Sequence, residues 1–229
     1  MKVIRGVNVF PTQVETALLS MGGDINIGLK EYLMYEGFSY KFVPVKNRMK
    51  STEIGFADAD DLYDKIKNVY TWDALKRTDY FVDYQNFYTF CGVLSQRGLF
   101  VNAAKEMLKI GDTERAIELL DMCQECVPES VIPLDLSAYG FSNEQYVLSL
   151  IEMYYMVGDS SEASALASRF ADQLLDSAGF FIMYYDWAAS AFSNCYTILA
   201  HLADLTHAYG DTDISDRIVE RFNEIVGEK

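Results

Sequence analysis

One piece of punctuation occurs three times in this chain and limits what it can fold into. KIGDTERA at 109–116, MVGDSSEA at 156–163 and AYGDTDIS at 208–215 each place a Gly-Asp pair between two apolar stretches. A glycine (Gly111, Gly158 and Gly210 here) can take the left-handed conformation that closes a helix without the penalty a Cβ would carry. The Asp, Ser or Thr behind it then accepts hydrogen bonds from the free N–H groups of the next helix. Asp159 and Glu162 have capping-box spacing. Three such turns predict three helical hairpins.

The residues around the turns fit the tetratricopeptide pattern, with a bulky residue eleven before the glycine and a small one five after it. Around Gly111 these are Phe100 and Ala116, with Leu120 at the bulky site beyond and Pro128 at the proline position. Around Gly158, Leu150, Tyr154 and Ala163 fit, but no proline does. Around Gly210 the fit is reduced to Leu199, Leu202, Val219 and Phe222. The turns are farther apart than the usual ~34 residues, which predicts longer helices or inserted loops such as CVPESVIPLDLSAYGF. From Thr113 one helical face carries Ala116, Ile117, Leu120 and Cys123, widened by Leu119, Met122 and Cys126. Tyr146 to Val157 is apolar nearly all round, as a helix between two neighbours should be. Pairs that cannot bury both faces alone need the next pair, which is the logic of a solenoid.

Residues before about 58 read differently. VIRGVNVF and FSYKFVPV lean to strand and flank GLKEYLMYEG, which reads as helix. This order predicts a small βαβ-like unit or a strand pair, punctuated by Gly22-Gly23 and Pro44. Lys46 to Ala57 reads as loop, and Asp58 to Tyr70 as a helix with Leu62, Ile66 and Val69 on one face. The expected fold class is mainly α: tetratricopeptide-like helical hairpins (an α-α superhelix) over 58–229. A small N-terminal α/β or β-hairpin element over 1–57 packs on them.

With 34 acidic and 19 basic residues the chain carries a formal charge of −15. That field repels phosphate backbones and anionic lipid, so no nucleic-acid partner is expected. The start, MKVIRGVNVFPTQVETALL, lacks the uninterrupted apolar region of a signal peptide. Trp187 to Ala203 has no Asp, Glu, Lys or Arg but is broken by Ser190, Ser193, Asn194, Thr197 and His201. It suits a buried helix better than a bilayer span, and the fragment is expected to be soluble.

Little in the sequence points to chemistry. No phosphate-binding, zinc-protease or serine-hydrolase motif occurs. The four cysteines, Cys91, Cys123, Cys126 and Cys195, form no dense framework. Cys123 and Cys126 lie late in an expected helix, whereas a redox pair needs a helix start. They read as buried thiols. His201 and His207 fall on opposite faces of one helix. Carboxylate clusters such as Asp58, Asp60, Asp61 and Asp64 read as a solvated helix start. No catalytic residue, metal or cofactor is expected. Phe180-Phe181, Tyr184-Tyr185-Asp186-Trp187 and Tyr154-Tyr155 read as helix packing ahead of sugar stacking. If the superhelix has a groove, the first helix of each pair lines it, through Lys105, Lys109, Gln145, Glu152, Tyr155, Asp204 and His207.

GLKEYLMYEGFSYKFVPVKNR, DLYDKIKNVYTW and RAIELLDMCQECVPESVIPLDL resemble the soluble C-terminal portion of the bacterial domain of unknown function 2723 family, related to protein O-mannosyltransferases. The resemblance spans about residues 1 to 178 and is most specific from Gly28 to Val45. It implies an extracytoplasmic tail, on the periplasmic side of the inner membrane, of a multi-spanning glycosyltransferase-like protein. IRGVNVFP stands where the family has a strand like R-P-I-Y-F-A, and the family's catalytic acids lie in the membrane half, so none transfers to this chain. The expected function is a non-catalytic accessory domain that binds a protein or glycan partner and its own membrane-embedded half. Alternatives are a stand-alone helical carbohydrate-binding protein and a small hydrolase.

Overall fold

The three Gly-Asp pairs are where helices stop and restart. The computed structural model describes residues 8–9, 32–38, 40–44, 46, 56–77, 96–135, 137–138 and 141–227. Over these the protein is mainly helical. Helix α1 (Ala59–Asp64) runs into a π-helical turn at Lys65–Val69. It is followed by α2 (Asp73–Lys76), α3 (Gln96–Lys109), α4 (Thr113–Cys126), α5 (Asn143–Val157), α6 (Ser160–Met183), α7 (Tyr185–Ala208) and α8 (Thr212–Gly227). No helix among the described residues is long and apolar enough to cross a membrane.

Each turn is built alike. Gly111, Gly158 and Gly210 have φ of 82°, 87° and 87°. Behind each, the Asp N–H reaches back to a carbonyl in the last helical turn: Asp112 to Met107 at 3.0 Å, Asp159 to Tyr154 at 2.9 Å and Asp211 to Thr206 at 2.8 Å. The glycine N–H bonds a second carbonyl, of Leu108, Tyr155 and His207 respectively. These paired bonds satisfy carbonyls that a helix end leaves without partners. Asp112 and Asp159 then cap α4 and α6 through the N–H of Arg115 and Glu162. The third aspartate does something else. Asp211 accepts from the Tyr155 hydroxyl at 2.8 Å and from the Ser164 hydroxyl, tying the last turn to the helix pair before it.

The same positions are buried about each turn. Phe100, Val147 and Leu199 lie eleven residues before the glycines, and Ala116, Ala163 and Ser215 five after them. At Gly210 the expected Val219 lies on the outer side, 56% exposed, and Ile218 fills the inward place one residue earlier. Helices α3, α5 and α7 pack in succession, and each also packs on the helix that follows it. Helix α8 closes the series against both α6 and α7.

The N-terminal region departs from expectation in three places. Strands β1 (Asn8–Val9), β2 (Leu33–Tyr35), β3 (Tyr40–Phe42) and β4 (Phe56–Ala57) form one sheet in the order β1-β3-β2-β4, antiparallel except for β2 with β4. Within GLKEYLMYEG, therefore, Leu33–Tyr35 is strand and not helix. It turns back at Gly37 (φ 95°), and its rings pair across the hairpin, Tyr35 with Tyr40 at 5.4 Å. Phe56–Ala57, read as loop, is an edge strand. The helix after Asp58 does not hold its face. Widening to π geometry at Lys65–Val69 rotates the following residues, so Leu62 and Ile66 are buried while Val69 is 61% exposed. Trp72 occupies the core instead, 4.7 Å from the Phe100 ring, with its indole N–H donating to the Ile66 carbonyl. A further short ribbon pairs β5 (Ser137–Ala138) with β6 (Phe141–Ser142). Gly22-Gly23 and Cys91 lie outside the described residues.

Candidate functional site

A buried guanidinium organises the wall of a shallow cleft. Arg97, in the first turn of α3, is 2% exposed. It donates to the Ile132 carbonyl at 2.6 Å, the Asn143 side-chain oxygen at 2.7 Å, and the Val127 and Pro133 carbonyls at 3.3 and 3.4 Å. Loss of water lowers its pKa. Asn143 in turn donates to the Pro133 and Leu134 carbonyls, and the Leu134 N–H donates to Gln173. The segment after α4 is thereby pinned across α3, α5 and α6.

Pinning it opens a shallow cleft of about 460 Å³ between that segment and α6, lined by Glu129, Pro133, Asp135, Gln173, Asp176, Ser177 and Phe180. Its polar groups are largely committed. Glu129 accepts from Arg169 at 2.8 Å and Gln173 at 2.9 Å, and Asp135 accepts from the Ser177 hydroxyl. No histidine or cysteine stands among these lining residues.

Phe180 also belongs to a run of exposed apolar side chains. Helices α6 and α7 have 24 residues each, α5 has 15 and α8 has 16. At 1.5 Å per residue α6 is about 36 Å long, whereas α7 breaks at Ala188 (φ −117°, ψ 16°) and its regular part over 189–208 is about 30 Å, so the pair outreaches its neighbours by roughly 6–14 Å. Between Ala178 and Cys195 no residue is buried. Trp187 is 93% exposed, Met183 71%, and Phe180 and Tyr184 54% each. The aromatic run is thus a projecting tip, which corrects its reading as helix packing, and the first half of Trp187–Ala203 is not the buried helix expected. Tyr154 and Tyr155, from the same reading, are buried. Partial ring contacts, such as Phe180 with Tyr184 at 5.1 Å and Tyr185 with Phe192 at 5.7 Å, order the tip without covering it.

The seven groove residues are distributed over α3, α5 and α7. Gln145, Glu152, Asp204 and His207 are exposed, and Lys105 is half-buried. Lys109 pairs with Glu106 of its own helix at 2.6 Å. Tyr155 is 6% exposed; its ring stacks on Tyr209 at 4.6 Å and its hydroxyl bonds Asp211, and burial pushes its pKa up to about 12. That makes it a fastener between helix pairs. Cys123, Cys126 and Cys195 are buried free thiols. Burial pushes Cys123 and Cys195 up to about 12, opposite to the depressed pKa of a reactive cysteine. His201 is exposed. Among the described residues no group of three or more His, Cys, Asp or Glu side chains is placed to hold a metal ion.

Arg97 and Asn143 carried no sequence signal, since their partners come from distant positions. The tip had one: an aromatic run on helices longer than those on either side. No family model, no curated protein and no solved structure matches this chain.

Proposed function

We propose that this chain is a non-catalytic interaction domain of tetratricopeptide-like helical hairpins, whose contact surface is the projecting α6–α7 tip. The observation that carries this reading is the stretch between the buried Ala178 and Cys195, which has no buried residue and holds the 93% exposed Trp187. Soluble domains seldom leave contiguous large apolar side chains in water unless something binds them. Tryptophan and tyrosine are also the residues that dominate binding energy at interfaces. The repeated Gly-Asp turns and the shared buried positions around them support the hairpin assignment.

The test is a photoreactive amino acid placed at position 187 in cells, with position 224 on α8 as the exposed control. A discrete adduct from 187 and none from 224 is the expected result. Identical adducts from both positions, or none, would remove the reading.

The parent protein is proposed from the resemblance of GLKEYLMYEGFSYKFVPVKNR and its companion segments: a membrane glycosyltransferase-like protein with this domain on its periplasmic side. A native reading frame without a multi-spanning half would end that assignment. A sugar-binding reading draws on Phe180, whose exposed ring borders the carboxylate-lined cleft. Its reporter is Trp187, because Trp72 is only 8% exposed.

A further inference from the structure

Charge narrows what the tip can receive. No Lys or Arg stands between Arg169 and Arg217, a span that contains the whole tip. The flanking cations are already engaged: Arg169 with Glu129, Arg217 with Asp172, and Arg221 with Asp172 and Asp176. Asp135 and the exposed Asp186 add further negative charge beside the rings, on a chain whose formal charge is −15.

We propose that the tip and its adjoining cleft receive a cationic amphipathic segment of a partner protein. Its apolar side chains lie on Phe180, Met183, Tyr184 and Trp187, and its Lys or Arg side chains point toward the exposed carboxylates of Asp176 and Asp186. This rests on the tip being an interaction surface and adds the chemistry of its partner. Phe180 makes the two parts continuous, because it lines the cleft and touches the Tyr184 ring. The carboxylate excess favours cations and repels both an anionic bilayer and a second copy of this chain. A neutral glycan gains nothing from that excess. An amphipathic helix, by contrast, presents an apolar stripe with charges beside it, the same pairing in complementary form.

The experiment follows Trp187 emission as the intact chain is titrated with a Leu/Lys helical peptide and a Leu/Glu peptide of equal length. Phosphatidylcholine vesicles and a mannose oligosaccharide are tested in parallel. The expected result is binding of the Leu/Lys peptide at least about tenfold tighter than the Leu/Glu peptide, weakening as salt rises. Met183→Ser, and the pair Asp176→Asn with Asp186→Asn, should each weaken it by about fivefold or more. The pair Glu220→Gln with Glu224→Gln, which removes the same charge from α8, should leave it unchanged. Equal affinity for the two peptides, equal loss in the α8 control, or a response confined to vesicles or oligosaccharide would overturn the proposal. If the peptides fail while position 187 still traps a protein in cells, the cationic chemistry falls and the interaction surface stands. If both fail, both readings fall.

Discussion

The two tryptophans of this protein are used in opposite ways. Trp72 is 8% exposed, donates its N–H to the Ile66 carbonyl, and packs among Phe38, Tyr70 and Phe100. Trp187 is 93% exposed. Both stand two residues after a tyrosine, Tyr70 and Tyr185, so the nearest aromatic neighbour in sequence does not explain the contrast. Neighbours in space do. The π turn at Lys65–Val69 swings Trp72 onto α3, whereas α6 and α7 continue past the ends of α5 and α8 and leave Trp187 with nothing to pack on. Where helix lengths match, aromatic residues stabilise the fold; where they do not, the same residues become a surface.

The sharpest way to break this contrast is to truncate each ring. Trp72→Ala should cost about 3–5 kcal/mol, since it removes a large side chain from a packed core, measured by chemical denaturation. Arg97→Ala should cost about 3–4 kcal/mol, because it takes the guanidinium donor from the Val127 and Ile132 carbonyls and from the Asn143 side-chain oxygen. It should also loosen hydrogen-exchange protection across 127–135 before any other segment.

Gly158→Ala should cost about 1–2 kcal/mol. The space around it is open, so the whole effect is the strain of φ at 87°. Gly158→Asn should recover part of the loss, because asparagine tolerates the left-handed region. A substitution at Gly158 that leaves the melting temperature unchanged would deny the turn its role.

The pH dependence separates interior from surface. Cys123 and Cys195 have thiols raised to about 12 by burial, while an unfolded thiol ionises near about 8.5. Their contribution is complete below that value and is lost as pH rises toward 12. The denaturation midpoint should therefore decline above about pH 9, and Cys123→Ala should flatten the decline. Asp112 and Glu118 are held below the usual carboxylate range, Asp112 by the Arg115 N–H and guanidinium and Glu118 by Lys67 and Tyr63. Their contribution is present above the unfolded carboxylate range and disappears as pH falls through their lowered values. The smallest effect belongs to the tip. Trp187→Ser should change stability by no more than about 0.5 kcal/mol, as exposed positions do, while weakening binding of a dye-labelled Leu/Lys peptide followed by its anisotropy.

Much of the fold was legible. The helix ends at Gly111, Gly158 and Gly210, the caps at Asp112 and Asp159, and the buried face of α4 all follow from spacing within a few residues. The strand at Leu33–Tyr35 was missed because Leu, Met and Tyr serve either state, and pairing with Tyr40–Phe42 decided between them. Val69 was misplaced because a 3.6-residue period does not hold through a π turn. Of the candidate groove, Tyr155 proved to be a buried fastener, and the cleft beside α6 went unread because it depends on Arg97.

The order of residues was enough to place each turn, because a glycine closing a helix and an aspartate opening the next act through bonds spanning five residues or fewer. Arg97 reaches partners 30 to 46 positions away, and the exposure of Trp187 depends on where α5 and α8 end. Tertiary structure alone decided these two, since burial and satisfaction of a polar group are set by what arrives from elsewhere in the chain.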